Sequence, residues 1–377
     1  MTARISRNHH FVPQFILRGF ARPGKVHRIA TVDLKLGTSF VRSVHRTAAV
    51  RDFNTLLLED GGESDAAEKV LADIEYEASK VVHRIIDGGW IESDAERWRL
   101  GQLIALQIGR TPAAREEFDA LSDQMIKLDM AAGGPKKMRD VLRKELQREP
   151  TDEEVDEHWA SVRDFDEYVT RQPRERHVKN LLEITDYLTP GIVGIYSWAV
   201  TRWERRSLII SDTPVLLLPS PDQHVRDEPV GVFTAGTLWI PLHRHVALVL
   251  RNQGTYGQLA DGASLQPTVA GARNINAFQV HTAHRSFFHH PDDDLKSLLG
   301  PEFEVPGPRP PANFEDDHST DLRARLRAMA EWHRDHPDRP HPMSNENTGD
   351  EEAEWQAMYQ ADTGRLWRDS GTDKEPL

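Results

Sequence analysis

The sequence contains no cysteine among its 377 residues, and it has no long apolar run. The first absence excludes disulfides, cysteine-ligated zinc, iron–sulfur clusters and a cysteine nucleophile. The second excludes an ordinary transmembrane helix, which needs about 18 consecutive apolar residues. Arg4 and Arg7 lie near the N-terminus, but no apolar segment of the kind found in signal peptides follows them. We therefore expect a cytoplasmic protein that does not act at a membrane.

Several nucleotide-binding and catalytic motifs are also missing. The chain has no P-loop, no Gly-x-Gly-x-x-Gly fingerprint and no Gly-x-Ser-x-Gly elbow, so these classes of site are not predicted. The formal net charge of -13 argues against a general nucleic-acid coat protein, because phosphate neutralisation needs clustered Lys and Arg. The first 51 residues are nevertheless rich in Arg and His and poor in acids. A local basic surface, such as a nuclease needs, therefore stays compatible with the sequence.

The pattern of apolar residues predicts an α+β fold. Short N-terminal strands are expected around a turn at residues 35–37, and helical spacing begins near residue 65 and resumes at residue 93. In the second half, β-rich runs separated by Pro and Gly indicate a mixed, mostly antiparallel sheet. A helix over residues 272–288 is expected to cover that sheet.

The same pattern predicts how the chain is divided. We expect a single α+β domain over residues 1–300, with a helical insertion at about 116–190. Residues 301–377 are rich in proline and acids, so we predict a linker and tail with short helices there.

The segment RNHHFVPQFILRGF, at residues 7–20, combines histidines with a compact apolar run. Pro13 suits the first turn of a helix, where its missing N–H costs nothing, and Gly19 suits the end of one. We therefore predict one short helix, Gln14–Arg18, that buries Phe15 and Ile16. The apolar half of the motif is expected to join the core.

Two histidines precede this predicted helix. The N-terminus of a helix attracts anions, and histidine can give a proton to a bound phosphate near neutral pH. On this interpretation His9 and His10 are catalytic residues and Gln14 is a substrate contact. The alternative is that both histidines hydrogen bond to the backbone and that the motif only anchors the N-terminus.

Three polar residues lie among apolar helix positions: Glu75, Gln107 and Arg110. Polar groups that face a core need partners, and a buried charge needs an opposite one. One interpretation is a Glu75–Arg110 bridge that joins two antiparallel helices. The other places all three around a substrate cavity, where the planar guanidinium of Arg110 would hold a phosphate or carboxylate.

The segment LIISDTPVLLL has a polar break between two apolar runs. Asp212 stands at this break, and Pro214 removes a donor of the strand ladder. A carboxylate at a strand end can serve as a general base or a metal ligand, and the same position also suits an Asx-turn. The sequence leaves both alternatives open for Asp212.

Asn276 lies on the predicted covering helix and is a further candidate substrate contact. The pairs His281/His284 and His243/His245 have spacings that a metal could use, at i,i+3 on a helix and i,i+2 on a strand. No acid accompanies either pair in a recognised pattern, so we expect these histidines to be ordinary. A divalent metal therefore stays a candidate cofactor without an assigned ligand set.

Four segments resemble those of an uncharacterised bacterial family: NHHFVPQFILRGFA, IGRTPAAR, IISDTPVLLL and RNINAFQVHTAHRSFF. Members of that family open with His-His-Tyr/Phe-Val-Pro-Gln and end this motif with Leu-Arg-x-Phe. The resemblance covers about residues 8–292 and leaves the proline-rich tail outside. It implies no established activity, and it suggests an accessory or defence role in a bacterium.

Together these residues predict a hydrolase that acts on phosphodiesters, with nucleic acid as the candidate partner. His10 would be the general acid or base, Arg110 the phosphate clamp, and Asp212 a base or metal ligand. The alternative is a non-enzymatic module that binds an anionic ligand or a partner protein, in which the motifs serve as core anchors. The oligomeric state does not follow from the sequence.

Overall fold

The computed structural model describes residues 5–58, 61–221, 230–305, 317–337, 339 and 341–342. Its strands are β1 Asn8–His10, β2 Arg28–Asp33, β3 Thr38–Ser43, β4 Ala49–Arg51, β5 Leu56–Leu57, β6 Glu63–Ser64, β7 Tyr196–Arg202, β8 Ile210–Ser211, β9 Leu216–Leu218, β10 Thr237–His243, β11 Val246–Asn252, β12 Ala263–Leu265 and β13 Ser286–His289. Its helices are α1 Gln14–Arg18, α2 Ala66–Ile86, α3 Asp94–Gly109, α4 Pro112–Leu146, α5 Asp152–Val162, α6 Arg174–Ile195, α7 Gln253–Tyr256, α8 Val269–Thr282, α9 Leu295–Leu299 and α10 Asp317–Asp335, with a 3-10 turn at Val44–Arg46.

These elements confirm the predicted α+β class, since short N-terminal strands precede a helical middle and a mixed sheet follows it. Residues 306–316 and 343–377, which belong to the predicted linker and acidic tail, lie outside the described residues. None of the described helices is long and apolar enough to cross a membrane.

The chain forms two compact units. The first comprises residues 1–118 and 172–311, and the second comprises residues 119–171 and 312–377. The core of the second unit consists of apolar side chains from α4, α5 and α10 and from the segment after α5. All the candidate site residues belong to the first unit.

Two sheets organise the first unit. The larger has the strand order β12-β7-β11-β10-β9 and is antiparallel except for the β12–β7 pair. The smaller has the order β3-β2-β13-β8 and is antiparallel throughout. The main core lies on the larger sheet, where Trp198, Leu238 and Leu248 are fully buried.

The opening motif forms the predicted helix, with Ile16 buried and Phe15 partly buried. Helix α1 spans Gln14–Arg18, directly after Pro13, and Gly19 follows its last residue. The helix packs against β10, and a Cβ atom at position 19 would lie 2.9 Å from the Leu242 carbonyl oxygen. Only glycine allows this approach, and the Gly19 carbonyl then accepts a hydrogen bond from Arg244 N–H at 3.1 Å.

The predicted covering helix is shorter than expected. Helix α8 ends at Thr282, and residues 286–289 form β13 between β2 and β8. Phe287 and Phe288 point to opposite faces of this sheet and are buried in two different apolar clusters. Because both faces of the strand are covered, the apolar run lacks the alternation that would have distinguished it from a helix.

Candidate functional site

His9 lies on β1, which pairs with β4, and its side chain is fully buried. Its Nδ1 atom accepts a hydrogen bond from the Asn54 backbone N–H at 2.8 Å, so the proton of the neutral ring is on Nε2. Nε2 then donates to the Ser6 carbonyl oxygen at 2.9 Å. Both ring nitrogens are therefore engaged, and His9 joins the N-terminal strand to the loop before β5.

His10 is only partly buried. Its Nε2 atom donates to the His45 carbonyl oxygen at 3.1 Å, and the two imidazole rings lie 5.9 Å apart. Burial lowers the pKa of His10, and the nearby charges of His45 and Arg110 lower it further. The ring is therefore neutral near neutral pH, which is the protonation state that a general base requires.

Arg110 holds the backbone of the opening motif. Its Nε and Nη2 atoms donate to the carbonyl oxygens of Phe11 and His10, at 2.7 and 2.9 Å, and Nη1 donates to Glu75 at 2.5 Å. The Gln107 amide, with its nitrogen toward Phe11, donates to the same carbonyl at 3.3 Å and accepts from Arg110 Nε at 3.0 Å. The ion pair predicted between α2 and the end of α3 is present, and the guanidinium has a protein partner on each of its three nitrogens.

Gln14 is the first residue of α1 and is partly exposed. Within the described part of the chain, no hydrogen bond involves its side chain. Gln14 is therefore close to the two histidines in sequence, but no polar contact among the described residues joins its side chain to them.

Asp212 follows β8 and is buried. Its carboxylate accepts three backbone N–H groups, from His284 at 2.9 Å, Arg285 at 2.8 Å and Ser286 at 2.7 Å. Burial raises the pKa of the Asp212 carboxyl, and the three N–H donors act in the opposite direction. The carboxylate thereby fixes the turn between α8 and β13.

Asn276 is buried on α8 and binds the strand that leads to Asp212. Its Oδ1 accepts from Ile209 N–H at 3.0 Å, and its Nδ2 donates to the carbonyl oxygens of Ser207 and Leu298. Gln279, one helical turn later, accepts from the Ser211 N–H at 2.8 Å. The two amides therefore hold β8 along the length of α8.

Six of the eight candidate residues thus form two groups, and His9 and Gln14 belong to neither. His10, Glu75, Gln107 and Arg110 converge around the backbone of the opening motif, whereas Asp212 and Asn276 bind the segments around β8 and β13. Among the described residues, no hydrogen bond or ion pair joins a member of one group directly to a member of the other.

Three polar residues that hold His9 or β8 in place were not predicted: Asn54, Arg115 and Gln279. Arg115 donates to the Phe53 carbonyl oxygen at 2.7 Å and also hydrogen bonds to the Asn54 side chain. The polar position of Gln279, three residues after Asn276 on one helix face, was a signal that could have identified it. Asn54 had no such signal, because its role depends on a contact with the distant His9.

The histidine pair at the turn between β10 and β11 also uses its nitrogens internally. His243 Nδ1 accepts from the His245 N–H at 3.2 Å, and His245 Nδ1 donates to the Arg206 carbonyl at 2.9 Å. Burial lowers the pKa of His243 to about 4. Within the described residues, no three His, Asp or Glu side chains are grouped so that they could hold a metal ion.

The fold and the two networks define an α+β protein whose motif residues are joined by buried polar contacts. The chain belongs to the family described as protein of unknown function (DUF4238), whose model matches residues 8–293. The predicted membership of an uncharacterised family is thereby confirmed. No curated protein and no solved structure matches the chain.

Proposed function

We propose that the protein is a non-enzymatic module that binds an anionic ligand or partner, and that its motifs are core anchors. The observation that carries the proposal is the uneven distribution of charge. The first 51 residues contain ten Lys or Arg and a single acid, Asp33, although the whole chain has a net charge of -13. Asp33 pairs with Arg285 at 3.0 Å, and Arg7, Arg22 and Arg51 pair with acids farther along the chain, so the proposal rests on the arginines that remain.

Exposed arginines of this segment lie on elements that adjoin one another. Arg18 is at the end of α1, which packs against the 3-10 turn that contains Arg46. The N–H of Val44, the first residue of that turn, donates to the carbonyl oxygen of His27, which precedes the exposed Arg28 in the sequence. Within the described residues, none of these three arginines forms an ion pair, so their charges are available to a ligand.

The internal bonding of the candidate catalytic residues also supports binding rather than hydrolysis. The Arg110 guanidinium donates to two backbone carbonyls and to Glu75, and the Asp212 carboxylate accepts from three backbone N–H groups. A phosphate clamp or a general base would have to give up these contacts, at a cost of about 1–3 kcal/mol for each group left unpaired.

The test is binding of labelled polyanions, measured by fluorescence anisotropy at low and moderate salt. Single-stranded DNA, RNA and polyglutamate are the ligands. The double variant Arg18→Glu/Arg46→Glu should weaken binding roughly tenfold, because two surface charges are reversed. The matched control Arg273→Glu changes an exposed arginine on α8 and should leave binding within about twofold. Absence of binding at low salt, or equal losses in both proteins, would contradict the proposal.

Phosphodiester hydrolysis is a second candidate, and His10 is the residue that favours it. This histidine is partly exposed, has a lowered pKa and lies beside the Arg110 charge. Incubation of RNA and DNA substrates with divalent cations should then show cleavage that His10→Gln abolishes and that His158→Gln, an exposed control, retains. Equal traces of cleavage in all three proteins would exclude this activity. A cytoplasmic location and a defence role stay predictions from the sequence.

A further inference from the structure

Within the described residues, the edge of the smaller sheet is open along β3. In that sheet β3 has β2 as its one neighbour among the described strands. Arg28 exchanges both backbone hydrogen bonds with Arg22, and Leu34 N–H donates to the Arg285 carbonyl, so the even-numbered residues of β2 face away from β3. Because backbone groups alternate along a strand, the odd-numbered residues of β2 bond to β3.

The register then identifies the outward groups of β3. Thr31 of β2 lies opposite Phe40, and Asp33 lies opposite Thr38, so these β3 residues bond inward. Ser39 and Val41 consequently direct their N–H and C=O groups to the open edge. Within the described residues, no hydrogen bond involves these outward groups, which form a short row of unpaired donors and acceptors.

The side chains of β3 are exposed on both faces of the sheet. Phe40 is 38% exposed on one face and Val41 is 48% exposed on the other. Exposed edge strands of this kind pair readily with another strand, because such pairing satisfies the backbone and covers the apolar side chains. Arg42 stacks over Phe40, with its guanidinium carbon 5.2 Å from the ring centroid, and adds a positive charge to the same face.

The positive charge around this edge favours an acidic partner. Lys35 is exposed in the turn before β3, and the Nε atom of Arg42 is buried without a hydrogen-bond partner among the described residues. The nearest acid of the segment, Asp33, is engaged by Arg285 and by the N–H groups of the turn. Asp33 also attracts Arg42, but it is a single carboxylate among Lys35, Arg42 and Arg285, so acidic side chains on an added strand would meet a net positive charge.

We propose that β3 is the docking strand for an extended, acidic segment of a partner protein, which adds to the sheet edge. This inference rests on the proposed anion-binding function and names the class of its ligand. A polypeptide strand offers alternating N–H and C=O groups to match those of Ser39 and Val41, whereas a nucleic acid offers mainly acceptors at its phosphates. The apolar exposure on both faces likewise suits alternating side chains of a strand.

The experiment uses the full chain and a short fluorescent peptide of alternating valine and glutamate. We expect the peptide to bind more tightly than its valine–lysine analogue, and its Kd to rise with salt. Ser39→Pro removes an outward N–H at an edge position, where strands tolerate proline, and should weaken peptide binding roughly fivefold. Ser39→Ala removes the side chain but keeps the N–H, and should bind like the unchanged protein.

A second measurement does not depend on the folding of the proline variant. The same peptide with an N-methyl group on every residue keeps its charge but loses the N–H groups on both of its edges. If it binds as well as the unmethylated peptide, strand addition is overturned while anion binding stands. If neither peptide nor any other polyanion binds, the proposed function fails as well. Equal binding of the glutamate and lysine peptides would overturn the acidic preference.

Discussion

Replacement of Arg110 by methionine should lower the free energy of unfolding of the first unit by about 4 kcal/mol. The buried guanidinium donates to the carbonyls of His10 and Phe11 and to Glu75, and hydrogen bonds to charged groups contribute about 1.5–3 kcal/mol each. The three values do not add, because one side chain makes all three bonds. Glu75 is 24% exposed, so water recovers part of its hydration after the change. These effects keep the loss below the sum.

Urea unfolding, followed by tryptophan fluorescence, measures the loss, and hydrogen exchange of residues 8–20 localises it. Arg273→Met is the matched control on the exposed side of α8 and should change stability by less than about 0.5 kcal/mol. Arg110→Lys keeps the charge without the planar fork and should lie between the two. A loss below about 1 kcal/mol for Arg110→Met, with unchanged exchange at residues 8–20, would refute the anchoring role.

Two further perturbations test the other network and the second unit. Asn276→Ala leaves buried backbone groups without partners and should cost about 2–3 kcal/mol in urea unfolding, whereas the exposed Asn274→Ala should be neutral; similar values for both would contradict the network. Burial lowers the pKa of His341 to about 3 in the folded protein. The stability that the neutral ring contributes is therefore fully present above the unfolded pKa of about 6.5, and it is lost as the pH falls below about 6.5. At pH 5 the free energy of unfolding is lower by ~2 kcal/mol for this reason, and His341→Gln should remove that part of the acid sensitivity. An unchanged pH profile of stability in the variant would contradict this role of His341.

Features with local causes could be predicted from the sequence. The bounds of α1 follow from Pro13 and Gly19, which act within a few residues of the helix ends. The Glu75–Arg110 contact could also be predicted, because each residue interrupts the apolar stripe of its own helix. A buried charge on one such stripe requires an opposite charge on the facing one, which leaves few choices.

Features that depend on distant partners could not be predicted in the same way. Asp212 bonds to backbone groups at residues 284–286, and a backbone N–H has no signature in the sequence. Strand β13 was expected to be helical, since its neighbours β2 and β8 are remote in the chain and only their pairing makes it a strand. In both cases a long-range contact overrides the local preference.

The four motifs that carry the family resemblance are joined in two pairs by hydrogen bonds, and these bonds explain why the motifs contain polar residues. The opening motif meets the GRTP segment through Arg110, and the SDTP segment meets the α8 segment through Asp212, Asn276 and Gln279. A side chain that bonds to a buried backbone group must present one particular donor or acceptor at one position. Such polar motifs can therefore arise from the needs of the fold alone, so ligand recognition is better sought on the exposed basic surface.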